Sequence, residues 1–311
     1  MKSRQVGFVL IALIILGIAA IGIRLFSTGT DQIVIKGLLP ISQDVVDRVE
    51  IQSQQDAMEI VKIGDSGWRV DKYPAFEPRI QDFWTSVADI PKAQLVARLA
   101  KHHNLFGVDD DQSTVVSFYL GQSVQEQFHI GKWTAEVRLC YLRKAGKNEV
   151  YGIPCPREDL FSTDEDTWRN PIVTSIPSDS IESIDYIYPD STQSFSLVKD
   201  ASGNWIVKSA EEDAFANLRI INPLLQAIEL IPATGFETDE LAAKLDFDAP
   251  QASIRINTTT ESNIPTTKLK FIRKDELSFY VRIPSQTTVY IVDGRLADFL
   301  LMSKEVIAEE N

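Results

Sequence analysis

The sequence predicts an α+β protein, in which an N-terminal transmembrane helix is followed by two tandem repeats of an antiparallel-sheet-plus-helix module. Three observations predict this class: an uncharged apolar run near the N-terminus, residue matches at a constant spacing of 139, and short alternating strand patterns around one helical pattern in each copy. The expected organisation is a cytoplasmic tip with the anchor (1–27), a linker (28–41), a first repeat (42–163), a connector (164–177), a second repeat (178–303) and a polar tail (304–311).

The apolar run Val6–Ile23 contains eighteen residues without a charge. A helix of this length spans about 27 Å, close to the hydrocarbon thickness of a bilayer. Lys2 and Arg4 precede the run, whereas Arg24 is the one basic residue on its other flank. Because positive charge favours the cytoplasmic side, we expect a single-pass cell-membrane protein with a cytoplasmic N-terminus and residues 27–311 extracytoplasmic.

A cleaved signal peptide is the alternative interpretation of the same run. Ala20 and Gly22 are small residues that a cleavage site accepts, but the apolar run is longer than a usual signal core and contains no A-x-A triplet. These features favour the uncleaved anchor. Both interpretations export the rest of the chain to the cell envelope, the periplasmic side of the membrane.

The charge of the chain restricts its partners. The formal net charge is −13, and the residues after 26 carry 28 basic against 44 acidic side chains. Binding to phosphate backbones requires clustered Lys and Arg, so we expect no nucleic-acid partner. The expected partners are the membrane itself and other envelope or transporter proteins.

An internal repeat organises the residues after the linker. The segment 108–120 aligns with 247–259, and one offset of 139 then holds over more than fifty residues. The matched pairs are Asp109 with Asp248, Gln112 with Gln251, Tyr141 with Tyr280, Arg143 with Arg282, Tyr151 with Tyr290, and Asp159 with Asp298. Upstream, Trp68 matches Trp205 at a slightly smaller offset, which short loop insertions explain.

Each copy begins with a predicted hairpin and continues with a helix and four strands. The hairpins are AMEIVKI and WRV around Gly64–Gly67, and SFSLVKD and WIV around Ala201-Ser202-Gly203. Apolar residues recur at helical spacing in both copies: Ile80, Phe83, Trp84, Val87 and Ile90 in the first, and Leu218, Ile221, Leu225 and Ile228 in the second. The later strands are STVVSFYL, EQFHIGK, AEVRLCYL and EVYGI, matched by ASIRINT, TKLKFI, LSFYVRI and TVYIV.

Three short motifs carry a family resemblance: Trp68-Arg69-Val70, Phe106-Gly107-Val108-Asp109 and Val150-Tyr151. With the N-terminal apolar run, the sequence over most of 38–303 resembles the family catalogued as domain of unknown function 4340. The resemblance implies a cell-envelope protein, since relatives are found beside or fused to auxiliary parts of ABC-type transport systems, including some tied to gliding motility. It implies no catalytic residue and no cofactor.

Motifs that suggest chemistry have simpler explanations. Gly64-Asp65-Ser66-Gly67 looks like a protease serine region, but Ala201-Ser202-Gly203 stands at the same place before the matched tryptophan, which indicates a shared turn. Of the three histidines, His102 and His103 are adjacent and unsuited to share a metal, so all three are interpreted as solvated loop residues.

The acidic and aromatic candidates also have structural explanations. Asp109, Asp110 and Asp111 form a contiguous run rather than the alternating pattern of a calcium loop, which favours a turn before a strand. Trp68 and Trp205 could be ligand platforms, but their matched positions favour core packing. We therefore predict no catalytic, cofactor or metal residues, and expect any localised function in unmatched loops or between the copies.

Cys140 and Cys155 are the two cysteines of the chain. They are equidistant from the point between Lys147 and Asn148, so a hairpin centred there places them opposite one another. Exported proteins accept disulfides, provided that the two Cα atoms approach within about 6 Å. A disulfide and two free thiols both remain open, because Pro154 can end the strand early.

Three functions are compatible with the sequence. The preferred hypothesis is a non-catalytic, membrane-anchored extracytoplasmic accessory or scaffold protein, auxiliary to an ABC-type transport system. One alternative is an extracytoplasmic binding module for a peptide or glycan. The other is an enzyme with an unrecognised acidic site.

Overall fold

The computed structural model describes residue 35, residues 38–64 and residues 67–308. The predicted anchor at residues 6–23 lies outside these ranges, as do Asp65 and Ser66 of the first hairpin turn. Within the ranges described, no helix has the length and apolar character needed to cross a membrane.

The described part of the chain contains twenty β-strands and six α-helices. The strands are β1 (Arg48–Gln52), β2 (Ala57–Ile63), β3 (Gly67–Val70), β4 (Tyr73–Pro74), β5 (Gln94–Ala97), β6 (Thr114–Leu120), β7 (Ser123–Thr134), β8 (Leu139–Lys144), β9 (Val150–Pro154), β10 (Ile172–Ser175), β11 (Ile181–Ile187), β12 (Phe195–Lys199), β13 (Trp205–Ser209), β14 (Ala214–Phe215), β15 (Leu230–Pro232), β16 (Gly235–Phe236), β17 (Ala252–Thr258), β18 (Thr267–Arg273), β19 (Ser278–Arg282) and β20 (Val289–Asp293). The α-helices are α1 (Glu77–Ala88), α2 (His103–Phe106), α3 (Leu218–Glu229), α4 (Asp239–Ala242), α5 (Gly294–Leu300) and α6 (Lys304–Ile307).

The chain divides into two compact units. The first unit comprises the residues up to Asp71 together with Pro78–Asp164. The second comprises the short segment Lys72–Glu77 and the chain from Glu165 onward. The segment Lys72–Glu77 therefore groups with residues far from it in sequence.

An antiparallel sheet forms the first unit, with its strands in the order β3-β2-β1-β6-β7-β8-β9-β5. Strand β1 lies inside the sheet, where Val49 is opposite both Ile60 of β2 and Phe118 of β6. Alternate residues of β1 and β2 are buried, which is the pattern of strands with one face on a core. The alternation therefore fixes which face of the sheet is covered.

Helix α1 buries the apolar side that its spacing predicts. Ile80, Phe83 and Val87 are almost completely buried. The ring of Phe83 lies 6.1 Å from that of Phe118 on the sheet, and the ring of Trp84 lies 5.4 Å from that of Trp68. Burial of each such side chain stabilises the unit by about 1.5–3 kcal/mol. The helix ends at Ala88, before Pro91, as predicted.

The sheet of the second unit runs β14-β13-β12-β11-β17-β18-β19-β20-β16. Helix α3 covers one face with Ile221, Leu224 and Ile228, which share a core with Trp205 of β13. Within the same core, the ring of Tyr186 stacks on that of Phe195 at 4.4 Å. Strands β10 and β15 form a separate two-stranded sheet.

Eight strands of the two sheets follow corresponding orders. Each unit has a first strand in the interior, a hairpin on one side of it and a four-strand antiparallel series on the other. A further edge strand, β5 or β16, pairs with the last strand of that series, although in sequence it lies between the helix and the series. The antiparallel sheets with packed helices confirm the predicted α+β class.

Three segments differ from the sequence-based expectation. The predicted strand AEVRLCYL begins only at Leu139, because β7 extends to Thr134 and pairs with Leu139 across a tight turn, in which Arg138 has a φ of 48°. The connector 164–177 contains strand β10, paired with β15, and a fully buried Trp168. The predicted polar tail is wrong for 304–308, where α6 buries Ile307 completely.

Candidate functional site

Cys140 and Cys155 are joined by a disulfide, with their Cα atoms 5.4 Å apart. The register that we expected for the hairpin is wrong, since Cys140 lies opposite Ile153 rather than Cys155. Cys155 follows the last residue of β9, and its N–H donates a 2.7 Å hydrogen bond to the carbonyl of Arg138. This bond brings the chain back beside β8, so the two cysteines meet although they are not a cross-strand pair.

His129 lies in a strand with a largely buried, hydrogen-bonded ring, which corrects its interpretation as a solvated loop residue. His102 and His103 lie in consecutive helical turns, and Nε2 of His103 is 2.8 Å from the carbonyl oxygen of Asn148. His129 lies within β7, where its Nδ1 is 2.9 Å from the Ser113 hydroxyl. Among the residues with described coordinates, no group of three metal-ligating side chains comes together.

The three aspartates at 109–111 form a turn that leads into β6. The carbonyl of Asp109 accepts the N–H groups of Gln112 and Ser113. Asp110 accepts a 2.5 Å hydrogen bond from the buried guanidinium of Arg143, and this bond holds the pKa of Asp110 below its ordinary value. Trp68 and Trp205 are both buried in the cores of their units. The structure therefore gives these residues positions in turns and cores.

A cavity of about 380 Å³ opens in the second unit at a place that the sequence did not indicate. Its walls include Lys72, Tyr73, Arg169, Phe236 and Tyr290, together with the loop Ser285–Thr288 between β19 and β20. The residues come from four separate stretches of the chain. Strand β16 positions Phe236 beside Tyr290, its antiparallel neighbour on β20.

Arg169 is the central side chain of this site. Only 4% of its surface is exposed, and its guanidinium carbon lies 3.5 Å from the ring centre of Tyr73 and 3.9 Å from that of Phe236. Such a sandwich between two aromatic faces is favourable for a guanidinium. Nη1 is 2.9 Å from a carboxylate oxygen of Asp166. Nε and Nη2 are buried and have no hydrogen-bond acceptor in the described part of the protein.

A second pair of charges holds Tyr73 in place. The Tyr73 hydroxyl donates a 2.6 Å hydrogen bond to Asp239, which also forms an ion pair with Lys72. The hydrogen bonds from Lys72 and Tyr73 lower the pKa of Asp239, while burial and the bond to Asp239 raise the pKa of Tyr73. Tyr73 is therefore neutral and oriented at ordinary pH, with its ring against Arg169.

The walls of the cavity combine charged, hydrogen-bonding and aromatic side chains. Two cationic side chains, three aliphatic hydroxyls and three aromatic rings line the cavity, and its described lining contains no carboxylate. The one local signal that could have directed attention here is Trp168-Arg169, a large apolar and a basic residue inside an otherwise acidic connector.

Comparison with known protein families gives one match. Residues 68–250, more than half of the chain, match the family described as a domain of unknown function (DUF4340). Neither a curated protein nor a solved structure matches the chain. The match agrees with the resemblance carried by the Trp68, Phe106 and Tyr151 motifs, and the chain belongs to the DUF4340 family.

Proposed function

We propose that this chain is a non-catalytic, membrane-anchored accessory protein of the cell envelope, which holds other proteins, such as those of an ABC-type transport system, through two copies of one binding module. The observation that carries the proposal is the corresponding strand order of the two sheets. A chain that duplicates a rigid module gains a second contact surface without new chemistry. The disulfide between Cys140 and Cys155 supports the extracytoplasmic location, because such bonds persist in oxidising compartments.

The proposed topology can be tested by cysteine labelling of the full chain. Leu277 is highly exposed, and both native cysteines are in the disulfide, so Leu277→Cys introduces one accessible thiol. A membrane-impermeant maleimide should label Leu277→Cys in intact spheroplasts, whereas Ser3→Cys should react only after lysis. The reverse pattern would overturn the proposed orientation.

The accessory role requires a stable protein partner. The full chain should be cross-linked in native membranes, solubilised in mild detergent and purified with an affinity tag. We expect the same envelope membrane proteins to be recovered in replicate preparations, and the cross-links to map to exposed positions of both units. Recovery of the chain alone would contradict the role.

A second candidate function is the binding of an extracytoplasmic ligand. The observation that favours it is the cavity of the second unit, whose volume and mixed aromatic and hydroxyl lining are typical of small-ligand sites. A thermal-shift screen of the full chain with envelope peptides, glycans and small acids should find at least one class that raises the unfolding temperature. A uniform lack of response would exclude this function.

A further inference from the structure

We infer that the cavity of the second unit binds the carboxylate of a small organic acid that also carries an apolar group, with Arg169 as the residue that pairs with the carboxylate. The inference rests on the second candidate function and names its ligand class. Four features of the site support it: the unpaired edge of Arg169, the aromatic walls, the local charge and the hydroxyl-bearing loop.

The first feature is the edge of the guanidinium that lacks an acceptor. Nε and Nη2 are neighbouring donors that lie along one side of the group, and this side matches the two oxygens of a carboxylate. In Arg169 these are the two buried nitrogens without an acceptor, whereas Nη1 is already paired with Asp166. A buried donor without a partner costs about 1–3 kcal/mol. A bidentate carboxylate removes this cost for both nitrogens.

The second feature is the pair of rings that enclose the guanidinium. Tyr73 and Phe236 cover both of its faces, so a ligand must approach Arg169 along its edge. The two free nitrogens are shielded from solvent, and binding therefore requires a covering side chain to move. Phe236 suits this role, because its ring is only half-buried and has no hydrogen-bonding group, whereas the hydroxyl of Tyr73 is held by Asp239.

The third feature is charge. Lys72 and Arg169 are the charged residues among the described walls of the cavity, in a protein with a formal net charge of −13. Lys72 is paired with Asp239, and Nη1 of Arg169 lies 2.9 Å from Asp166 and 3.9 Å from Glu165, so three carboxylates already surround the two cations. A ligand with one negative charge is repelled less by these carboxylates than a phosphate dianion. This difference favours a carboxylate over a phosphate.

The fourth feature is the loop between β19 and β20. Ser285 and Thr287 present hydroxyls at exposed positions, and Thr288 presents a buried one. Each carboxylate oxygen keeps a second lone pair when it is bound by Arg169, and a hydroxyl can donate to that lone pair. The rings of Phe236 and Tyr290, 5.7 Å apart, form an apolar surface for the rest of the ligand.

The test compares an acid with its uncharged amide on the full chain in detergent. Isothermal titration should show that 3-phenylpropionate binds at least about tenfold more tightly than 3-phenylpropanamide, the loss expected when a charge-assisted pair is removed. Phenylphosphonate, measured at a pH above its second pKa so that it is a dianion, should bind more weakly than 3-phenylpropionate at the same pH. Equal binding of acid and amide, or tighter binding of the phosphonate, overturns the carboxylate assignment and leaves ligand binding itself intact.

A matched pair of variants assigns the binding to this cavity. Thr287 is exposed, so both Thr287→Glu and its isostere Thr287→Gln should fold. We expect the introduced carboxylate of Thr287→Glu to lower the affinity for 3-phenylpropionate by about tenfold or more. The affinity of Thr287→Gln should stay within about threefold of the wild-type value. Equal affinities of the two variants place the binding elsewhere and overturn the inference.

Arg169 is tested directly, with a control variant that removes the same charge at another position. Arg169→Gln should abolish the preference for acid over amide, and Arg255→Gln, which removes an exposed arginine of β17 outside the cavity, should keep it. Far-UV circular dichroism checks that each variant is folded. A folded Arg169→Gln that still prefers the acid overturns the inference, as does the absence of measurable binding of 3-phenylpropionate to the wild type while other ligands of the screen bind.

Discussion

The hairpin β8–β9 of the first unit and the hairpin β19–β20 of the second each end with an equivalent backbone hydrogen bond. Different groups stabilise this bond in the two units. In the first, the N–H of Cys155 donates to the carbonyl of Arg138 at 2.7 Å. In the second, the N–H of Gly294 donates to the carbonyl of Leu277, also at 2.7 Å. The strand registers match too, since Cys140 faces Ile153 and Phe279 faces Val292.

The first unit secures this contact covalently, through the disulfide to Cys140. The second unit secures it by packing, because Gly294 begins helix α5 and this helix buries Ala297 and Leu300. A Cβ on Gly294 would lie 2.8 Å from the backbone of Leu277, so a side chain does not fit there. The two units therefore keep the same backbone contact although different groups stabilise it.

Removal of the disulfide should have the largest effect and should be confined to the first unit. The bond closes a loop with a sequence separation of 15, for which the chain-entropy model gives about 3 kcal/mol of stabilisation. We expect Cys140→Ser/Cys155→Ser to raise amide exchange in β8 and β9 and to leave β19 and β20 unchanged, as measured by hydrogen-exchange mass spectrometry. Alkylation of the native protein without reduction should label neither cysteine, and labelled thiols would contradict the bond.

Substitution of Gly294 should have the next largest effect and should be confined to the second unit. The new methyl group of Gly294→Ala meets the backbone of Leu277, and overpacking of this kind costs about 1–3 kcal/mol. Denaturant unfolding measures the loss. Gly235→Ala is the control, because a Cβ there meets only a side-chain methyl of Ile291 at 3.9 Å. Equal losses in the two variants would show that the contact at Gly294 is not tight.

The start of helix α5 offers a smaller test of the same packing. The Asp293 side chain accepts the N–H groups of Arg295 and Leu296, at 2.9 and 3.3 Å. Loss of such an N-cap costs about 1 kcal/mol, whereas asparagine keeps it. Asp293→Ala should therefore unfold at lower denaturant concentration than the wild type, and Asp293→Asn should not. Pro154 stands at the corresponding register position of the first hairpin, where the strand pairs with Leu139.

The dependence of stability on pH should give the smallest difference between the two units. His129 and Lys270 each lie opposite an arginine, Arg143 and Arg282 respectively. Burial, and then the charge of Arg143, lower the pKa of His129 below its ordinary value of about 6.5. As the pH falls, the unfolded chain takes up a proton before the folded one does, so the first unit loses stability as the pH drops through about 6.5.

All three histidines of the chain lie in the first unit, so the second unit has no imidazole to give such a dependence. Thermal unfolding of the full chain between about pH 7.5 and pH 5.5 should show a downward slope for the first unit, which His129→Gln makes shallower. An unchanged slope in His129→Gln would assign the pH dependence to other groups.

The local elements could be predicted from the sequence because each depends on neighbouring residues. The spacing of Ile80, Phe83 and Val87 indicated helix α1, and the alternation around Gly64 indicated the hairpin β2–β3. The cysteine register could not be predicted, since symmetry about a turn does not give its centre. The observed hairpin is centred between Gly146 and Lys147, one residue earlier than expected, and Gly146 has a φ of 71°. Cys155 lies beyond the strand, where a backbone hydrogen bond holds it.

The cavity depended on contacts that no local pattern encodes. Tyr73, Arg169 and Phe236 are separated by tens of residues, and they meet because Ala75 bridges to Arg169 while β16 joins the far edge of the sheet. The connector also looked polar in composition, although Trp168 is fully buried. The average composition of this segment indicates a solvated connector, whereas two of its residues, Trp168 and Arg169, are buried.

The interior position of β1 has a consequence for how the first unit forms during synthesis. β1 pairs with β6, which follows about sixty residues later in the chain. The edge strand β5 pairs with β9, and Cys155 comes directly after β9. The growing chain can make its first hairpin early, but the sheet has no partner for the second side of β1 until residue 120 has emerged. Until then an open strand edge and an apolar helix face are exposed together, and this interval is when the nascent unit most needs protection from aggregation.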